Sequence, residues 1–252
     1  MRHLFENWSR VGDRLRQSRM IALFLDFDGT LAHLRPRPEY VSMEGAVRYS
    51  LAALARNPRF RVCVISGRRQ ADIRARVRVA GIRYLGLHGW EGHTRAALAE
   101  ETSRQLVSLS ESLERRLSNI PGVWIENKKH ALTVHHRGAT EFDEEEARAI
   151  VDQIVEPYVG LFRLGNGKKV WEIVPRELAD KGVAVKHQLA CLPGHATAVY
   201  VGDDQVDEPA FAALPDGITV HVGPPGESHA HYRLSGVPQV RAFLYRLRTE
   251  FA

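Results

Sequence analysis

The sequence predicts an α/β protein: a core built on a parallel sheet, interrupted by an inserted α+β domain. Two observations carry this reading. Short, unbroken apolar runs alternate with helix-like stretches at both ends of the chain, as expected of strands buried on both faces. Between residues 98 and 176 that alternation stops, and paired strand-like runs with long helices take its place. The expected division is therefore a discontinuous core of residues 1–97 and 177–252 around an insert of 98–176.

In chain order, residues 4–18 place Leu4, Trp8, Val11 and Leu15 at helical spacing and predict a leading amphipathic helix. The runs IALFLDFD, RVCVISG, RYLGLHG, AVYVGDD and ITVHVG read as core strands. GAVRYSLAALARN and RQADIRARVRVAG read as helices between them. The insert opens with the helical stretch LAEETSRQLVSLSESLERRLSNI. The strand-like runs GVWIENK and HALTVHHRG follow, then the acidic helix EFDEEEARAIVDQIVEPY. LFRLG and KKVWEIVP flank a turn expected at Gly165-Asn166-Gly167.

The chain has 252 residues, 44% hydrophobic and 26% charged, a globular composition with material for a sizeable core. No apolar run approaches the roughly 20 residues that span a bilayer, and the charged N-terminus lacks the apolar segment of a signal peptide. Cys63, inside RVCVISG, reads as a buried thiol; with Cys191 as the only other cysteine, no disulfide framework and a cytoplasmic location are expected. The net charge of +5 is scattered rather than gathered in a basic tract. Nucleic acid is therefore not expected as a partner, whereas a small anionic substrate is favoured by steering. The chain is read as a monomer without a membrane partner.

Four elements carry chemistry. LFLDFDGTL ends a core strand in Asp26 and Asp28, which share strand parity. They would project together beyond the carboxyl end of the strand, where open α/β sheets bind ligands. Gly29-Thr30 can turn the chain and offer backbone N–H groups to an anion. Ser66-Gly67-Arg68 ends a second strand with a hydroxyl and amides suited to a phosphate oxygen. Lys181, in DKG, opens a helix and adds a point charge to the helix's preference for anions. GDDQVDE places Asp203, Asp204 and Asp207 at a further strand end. So many carboxylates at one edge call for a divalent cation, and all-oxygen ligands favour Mg²⁺.

LFLDFDGTL, VISGR, DKG and GDDQVDE, in this order, resemble the four motifs of the haloacid-dehalogenase (HAD) superfamily of phosphohydrolases. The resemblance spans nearly the whole chain. It implies a Rossmann-like HAD core with a lid-type α+β cap. It also implies Asp26 as a nucleophile that forms an aspartyl-phosphate, and Asp28 as the acid/base. Mg²⁺ would be held by Asp26, Asp203 and the backbone carbonyl of Asp28. Ser66 and Lys181 would hold the phosphoryl group, with Gly29, Gly67 and Arg68 beside them, and Asp204 and Asp207 would support the metal site or orient Lys181.

In the insert, Glu126 and Lys128 share strand parity, as do Thr133, His135 and Arg137. Glu172 is a lone acid in an apolar run. E-x-K, then H-x-R, then GKKVWEI, followed by DKG and GDDxxDE, resemble the trehalose-6-phosphate phosphatases. That resemblance makes Glu126, Lys128, His135, Arg137 and Glu172 sugar-binding candidates, and HGWEG at 88–92 is similar to the family's His-Gly segment. The chain departs from the family at Val206, where a threonine is usual, and at His130 and Ala131. The alternatives are a related phosphatase acting on sucrose phosphate or a glycosyl-phosphoglycerate, and a non-catalytic sugar-phosphate sensor on the same fold.

Overall fold

The structure is a computed structural model that describes residues 1–92, 98–178 and 180–251. The expected domain boundary at residue 97 lies outside the described residues. The strands are β1 (Arg2–His3), β2 (Ile21–Leu25), β3 (Phe60–Ile65), β4 (Arg83–Leu85), β5 (Trp124–Asn127), β6 (Leu132–His135), β7 (Phe162–Gly167), β8 (Val170–Pro175), β9 (Thr197–Gly202), β10 (Ile218–Val222) and β11 (Tyr232–Leu234). The helices are α1 (Trp8–Gln17), α2 (Gly45–Arg56), α3 (Gln70–Val77), α4 (Glu100–Leu117), α5 (Glu141–Val155), α6 (Lys181–Ala190), α7 (Glu208–Ala212) and α8 (Val237–Phe251). They form two compact units, Met1–Thr94 with Asp180–Ala252, and Arg95–Ala179.

The first unit holds a seven-stranded sheet in the order β1-β11-β10-β9-β2-β3-β4, parallel at every pairing. Alternation along β2 explains why its run is apolar throughout. Leu23 and Leu25 enter a core shared with Trp8 and Leu15 of α1, Leu51 of α2 and Phe243 of α8. Ala22 and Phe24 enter a second core with Ala184 and Val185 of α6 and Phe211 of α7. Each face is buried against helices, so neither parity tolerates a polar residue. Cys63 lies in the second core, and its burial pushes the thiol pKa up, as expected of an inert thiol. The leading helix starts at Trp8 rather than residue 4: Arg2–His3 pairs with β11, and Phe5–Asn7 forms a 3₁₀ turn. Two-residue strands carry too little sequence for a period to register.

The second unit holds an antiparallel sheet in the order β5-β6-β8-β7, with α4 and α5. The Thr140 hydroxyl accepts from the Asp143 N–H at 3.2 Å and the Asp143 carboxylate accepts from the Thr140 N–H at 3.4 Å, a capping box that starts α5. The β7–β8 turn falls on Lys168-Lys169, not on Gly165-Asn166-Gly167, which belong to β7. Gly167 pairs with Val170, so only two residues close the hairpin, and Lys169 takes a left-handed φ of 63°. Among the described residues, no helix is long and apolar enough to cross a membrane.

Candidate active site

β2, β3 and β9 are adjacent in the sheet and end side by side, so their parallel register gathers the residues that follow them at one edge. Asp26 follows β2, Ser66 follows β3, and Asp203 follows β9. Lys181 opens α6, whose start is fixed by the Asp180 carboxylate accepting from the Val183 N–H at 2.9 Å. Gly182 lets α6 sit close to α7: a Cβ there would meet the Pro209 carbonyl oxygen at 2.5 Å.

Lys181 is 1% exposed and donates to Asp26 Oδ1 and Asp207 Oδ1, both at 2.7 Å. Asp207 receives more than the lysine. Its Oδ1 also accepts from the Tyr200 hydroxyl at 2.7 Å, and its Oδ2 accepts from the backbone N–H groups of Asp203 at 2.9 Å and Asp204 at 3.1 Å. Both Asp207 carboxylate oxygens are therefore occupied, one of them by the Lys181 ammonium that it holds in place. Asp204 accepts from the Gln205 N–H at 2.7 Å and starts the short 3₁₀ turn that carries Asp207. Tyr200 was not anticipated. It lies in an apolar strand, where nothing but its hydroxyl distinguishes it from a core aromatic.

Burial pushes the Asp26 carboxyl well above the usual carboxylate range; Lys181 opposes this, while Asp207 and Asp203 reinforce it. Asp207 goes the other way: its own burial is outweighed by Lys181, Tyr200 and the backbone amides, which hold it low. The Lys181 ammonium is likewise held charged despite burial, by Asp207 and Asp26. Lys181 donates to Asp26 and Asp207, and the buried carboxylate oxygens of Asp26, Asp203 and Asp207 lie within 4.8 Å of one another. A group of carboxylate oxygens this close could hold a hard divalent cation. Because Asp207 is saturated, Asp26 and Asp203 are the carboxylates that fit. Gly29 shapes this corner: its φ is +83°, and a Cβ there would fall 2.1 Å from Asp203 Oδ2.

Other expected anion contacts are placed differently. The Gly29 N–H donates to the Ala32 carbonyl at 2.8 Å, closing the turn, and is not offered to an anion. Ser66 is 1% exposed, and its Oγ accepts from the Arg68 N–H at 3.2 Å across Gly67. Arg68 directs its guanidinium to Asp28, not outward: Nε donates to Oδ2 and Nη2 to Oδ1, both at 2.7 Å. Leu87 and His88 both adopt positive φ, at 47° and 58°. Their N–H groups donate to the carbonyls of Arg68 and Ser66, each at 2.9 Å, so the His-Gly segment braces the Ser66–Arg68 loop.

In the second unit, the register aligns Glu126, Thr133, Glu172 and Gly165 across the sheet. Lys128, just past β5, reaches Glu172 at 3.0 Å, and both are buried. His135 Nε2 and Glu126 Oε2 are 2.9 Å apart, and the imidazole stacks on Trp124 with ring centroids 3.8 Å apart. Arg137 lies past the end of β6 and donates to the Lys168 carbonyl at 3.1 Å. The strands thus bring Glu126, Lys128, His135 and Glu172 into one polar cluster. Sequence parity places Glu126 with Lys128 and Thr133 with His135, while the Lys128–Glu172 contact depends on the pairing of β6 with β8.

The parallel sheet, with both faces covered by helices, carries the Asp26–Lys181–Asp207 array at its carboxyl edge, and its fold is similar to that of solved hydrolases. A haloacid dehalogenase-like hydrolase from Bacteroides thetaiotaomicron matches with a TM-score of 0.64 at 14% identity, over 90% of this chain and 99% of that one. The chain belongs to the trehalose-phosphatase family, whose family model matches residues 24–231. It is 31% identical over 250 residues to the probable trehalose-phosphate phosphatase 4 of Oryza sativa subsp. japonica, covering 92% of this chain and 66% of that protein. The fold is similar to that of the C. albicans trehalose-6-phosphate phosphatase C-terminal domain, with a TM-score of 0.83 at 22% identity over 96% of this chain and 97% of that one. The chain spans about two thirds of the length of its rice relative.

Proposed function

We propose that the chain is a Mg²⁺-dependent phosphatase that hydrolyses trehalose 6-phosphate to trehalose and phosphate through an aspartyl-phosphate on Asp26. The observation that carries this reading is the buried Asp26–Lys181–Asp207 array. A carboxylate held against an ammonium in a dry site can approach a phosphate dianion that would otherwise repel it. Asp26 attacks phosphorus, and the bond between phosphorus and the sugar oxygen breaks. Asp28 gives its proton to the departing oxygen, since an alkoxide leaves poorly. In the second half, Asp28 takes a proton from water as the water oxygen bonds to phosphorus, and Asp26 is released as a carboxylate. Lys181 and Ser66 hold the phosphoryl oxygens. Asp26, Asp203 and the Asp28 carbonyl would hold Mg²⁺, which when bound neutralises the charge between nucleophile and phosphate. Selection of a disaccharide falls to Glu126, Lys128, His135, Arg137 and Glu172, whose carboxylates, ammonium, imidazole and guanidinium can exchange hydrogen bonds with sugar hydroxyls.

The test is phosphate release from trehalose 6-phosphate, sucrose 6-phosphate, glucose 6-phosphate and a glycosyl-phosphoglycerate, with and without Mg²⁺, for the wild type and Asp26→Asn. The expected result is Mg²⁺-dependent turnover, highest on trehalose 6-phosphate, and none in the variant. A higher kcat/KM on another sugar phosphate would remove the substrate assignment, and turnover by Asp26→Asn would remove the nucleophile.

A further inference from the structure

Arg68 stands in a motif whose neighbours hold phosphate in the proposed mechanism, yet four of the five N–H donors of an arginine are directed here at protein oxygens. Nε and one Nη2 proton bind the two oxygens of Asp28 at 2.7 Å; the second Nη2 proton reaches the Pro38 carbonyl at 3.0 Å, and Nη1 reaches Asp72 Oδ2 at 2.8 Å. Asp72 is itself held by Arg76 Nε at 2.8 Å, and Arg76 Nη1 binds the Val41 carbonyl at 2.6 Å. The side chain of Arg68 is 11% exposed, and its guanidinium lies 5.7 Å from the centre of the Phe27 ring. Its own backbone is anchored at both ends, with N–H to Ser66 Oγ and carbonyl to the Leu87 N–H. A fork with this many attachments is a fixed object. The Asp28 carboxylate, 28% exposed, is gripped by it through both oxygens.

We infer that Arg68 is a positioning residue that aims the carboxyl of Asp28, and not a ligand of the transferring phosphate. A bidentate guanidinium fixes the plane of a carboxylate as well as its location. One lone pair on each oxygen remains for proton exchange, directed by that plane. The chain Arg76–Asp72–Arg68 sets the aim of the acid/base before substrate arrives. The inference rests on the proposed role of Asp28.

That role predicts a dependence on the leaving group. An alkoxide needs a proton as it departs, whereas a nitrophenolate does not, and only the first should feel a misaimed Asp28. The experiment measures phosphorylation under single-turnover conditions, by release of trehalose from trehalose 6-phosphate and of nitrophenolate from p-nitrophenyl phosphate. In Arg68→Gln the first rate should fall on the order of a hundredfold and the second by no more than about threefold. Asp72→Asn, which removes the backing and leaves Arg68 in place, should show the same selectivity to a smaller degree, and it carries the test if Arg68→Gln melts too low to assay. Equal losses on both substrates would make Arg68 a phosphate ligand and overturn the inference, as would an unchanged rate on trehalose 6-phosphate. Failure of the underlying reading looks different: Asp28→Asn would then slow neither substrate.

Discussion

Asp207 receives four hydrogen bonds, from Lys181, Tyr200 and two backbone amides, and none of its lone pairs faces a ligand. Removing its charge leaves the buried Lys181 ammonium with Asp26 as its remaining carboxylate acceptor among the described residues. Breaking one partner of a buried pair costs about 3–5 kcal/mol, so Asp207→Asn should unfold at markedly lower denaturant. Tyr200→Phe deletes one donor and leaves Asp207 three others, for a loss of about 1–2 kcal/mol. Equilibrium unfolding in urea measures both. An Asp207→Asn variant as stable as the wild type would contradict the anchoring role. At the same scale, Glu126 lies at the open rim of its cluster, its side chain 37% exposed. Glu126→Gln should therefore lower kcat/KM for trehalose 6-phosphate about tenfold, from one weakened charged hydrogen bond. Hydrolysis of p-nitrophenyl phosphate should stay unchanged, and an equal loss on both substrates would exclude a sugar contact.

Among the elements, the end of β6 holds a pH-sensitive joint. His136 is buried, with its ring stacked on Trp171 at 4.0 Å between centroids. Glu144 of α5 lies 3.3 Å from Nδ1, and Lys169 in the β7–β8 turn pairs with that same carboxylate. Arg148 of α5 sits over the Trp171 ring, and His135 precedes in the chain. Burial holds the His136 pKa below its ordinary 6.5; Glu144 opposes the shift, while Lys169 and His135 add to it. The unfolded chain then binds a proton near pH 6.5 that the folded chain refuses until lower pH. Stability is therefore complete above pH 6.5 and declines as the pH falls below it. Melting temperatures between pH 7.5 and 5.5 should drop more for the wild type than for His136→Phe, which keeps a ring on Trp171 and cannot titrate. Parallel curves for the two proteins would rule this out.

For the whole molecule, the buried carboxylates of Asp26, Asp203 and Asp207, whose oxygens lie within 4.8 Å of one another, could hold a cation in the native state. A ligand that binds only the native state stabilises it by about 2.7 kcal/mol at a hundred times its dissociation constant. Mg²⁺ should accordingly raise the melting temperature, and Asp203→Asn should abolish the rise. An equal rise in that variant would place the cation elsewhere.

Core strands were legible by themselves because a doubly buried strand must be apolar at both parities, as β2 is throughout and as β3 and β9 are beyond their first two residues, whereas β10 carries Thr219 and His221 on one parity. The acids at their ends were legible for the converse reason, since Asp26 and Asp203 have no place in such strands unless chemistry requires them. The short outer strands β1 and β11 were not legible, because their pairing is decided by a neighbour distant in the chain. The same limit applies to partners. Local sequence marks Arg68, Asp28, Tyr200 and Asp207 as residue types, but a hydrogen bond across 40 residues, as between Arg68 and Asp28, depends on which strands lie side by side. Sequence alone determined the inner strands of the sheet, the candidate edge at their carboxyl ends and the residue types there. Tertiary structure decided which charge faces which, because a parallel sheet joins strand ends that the chain keeps far apart.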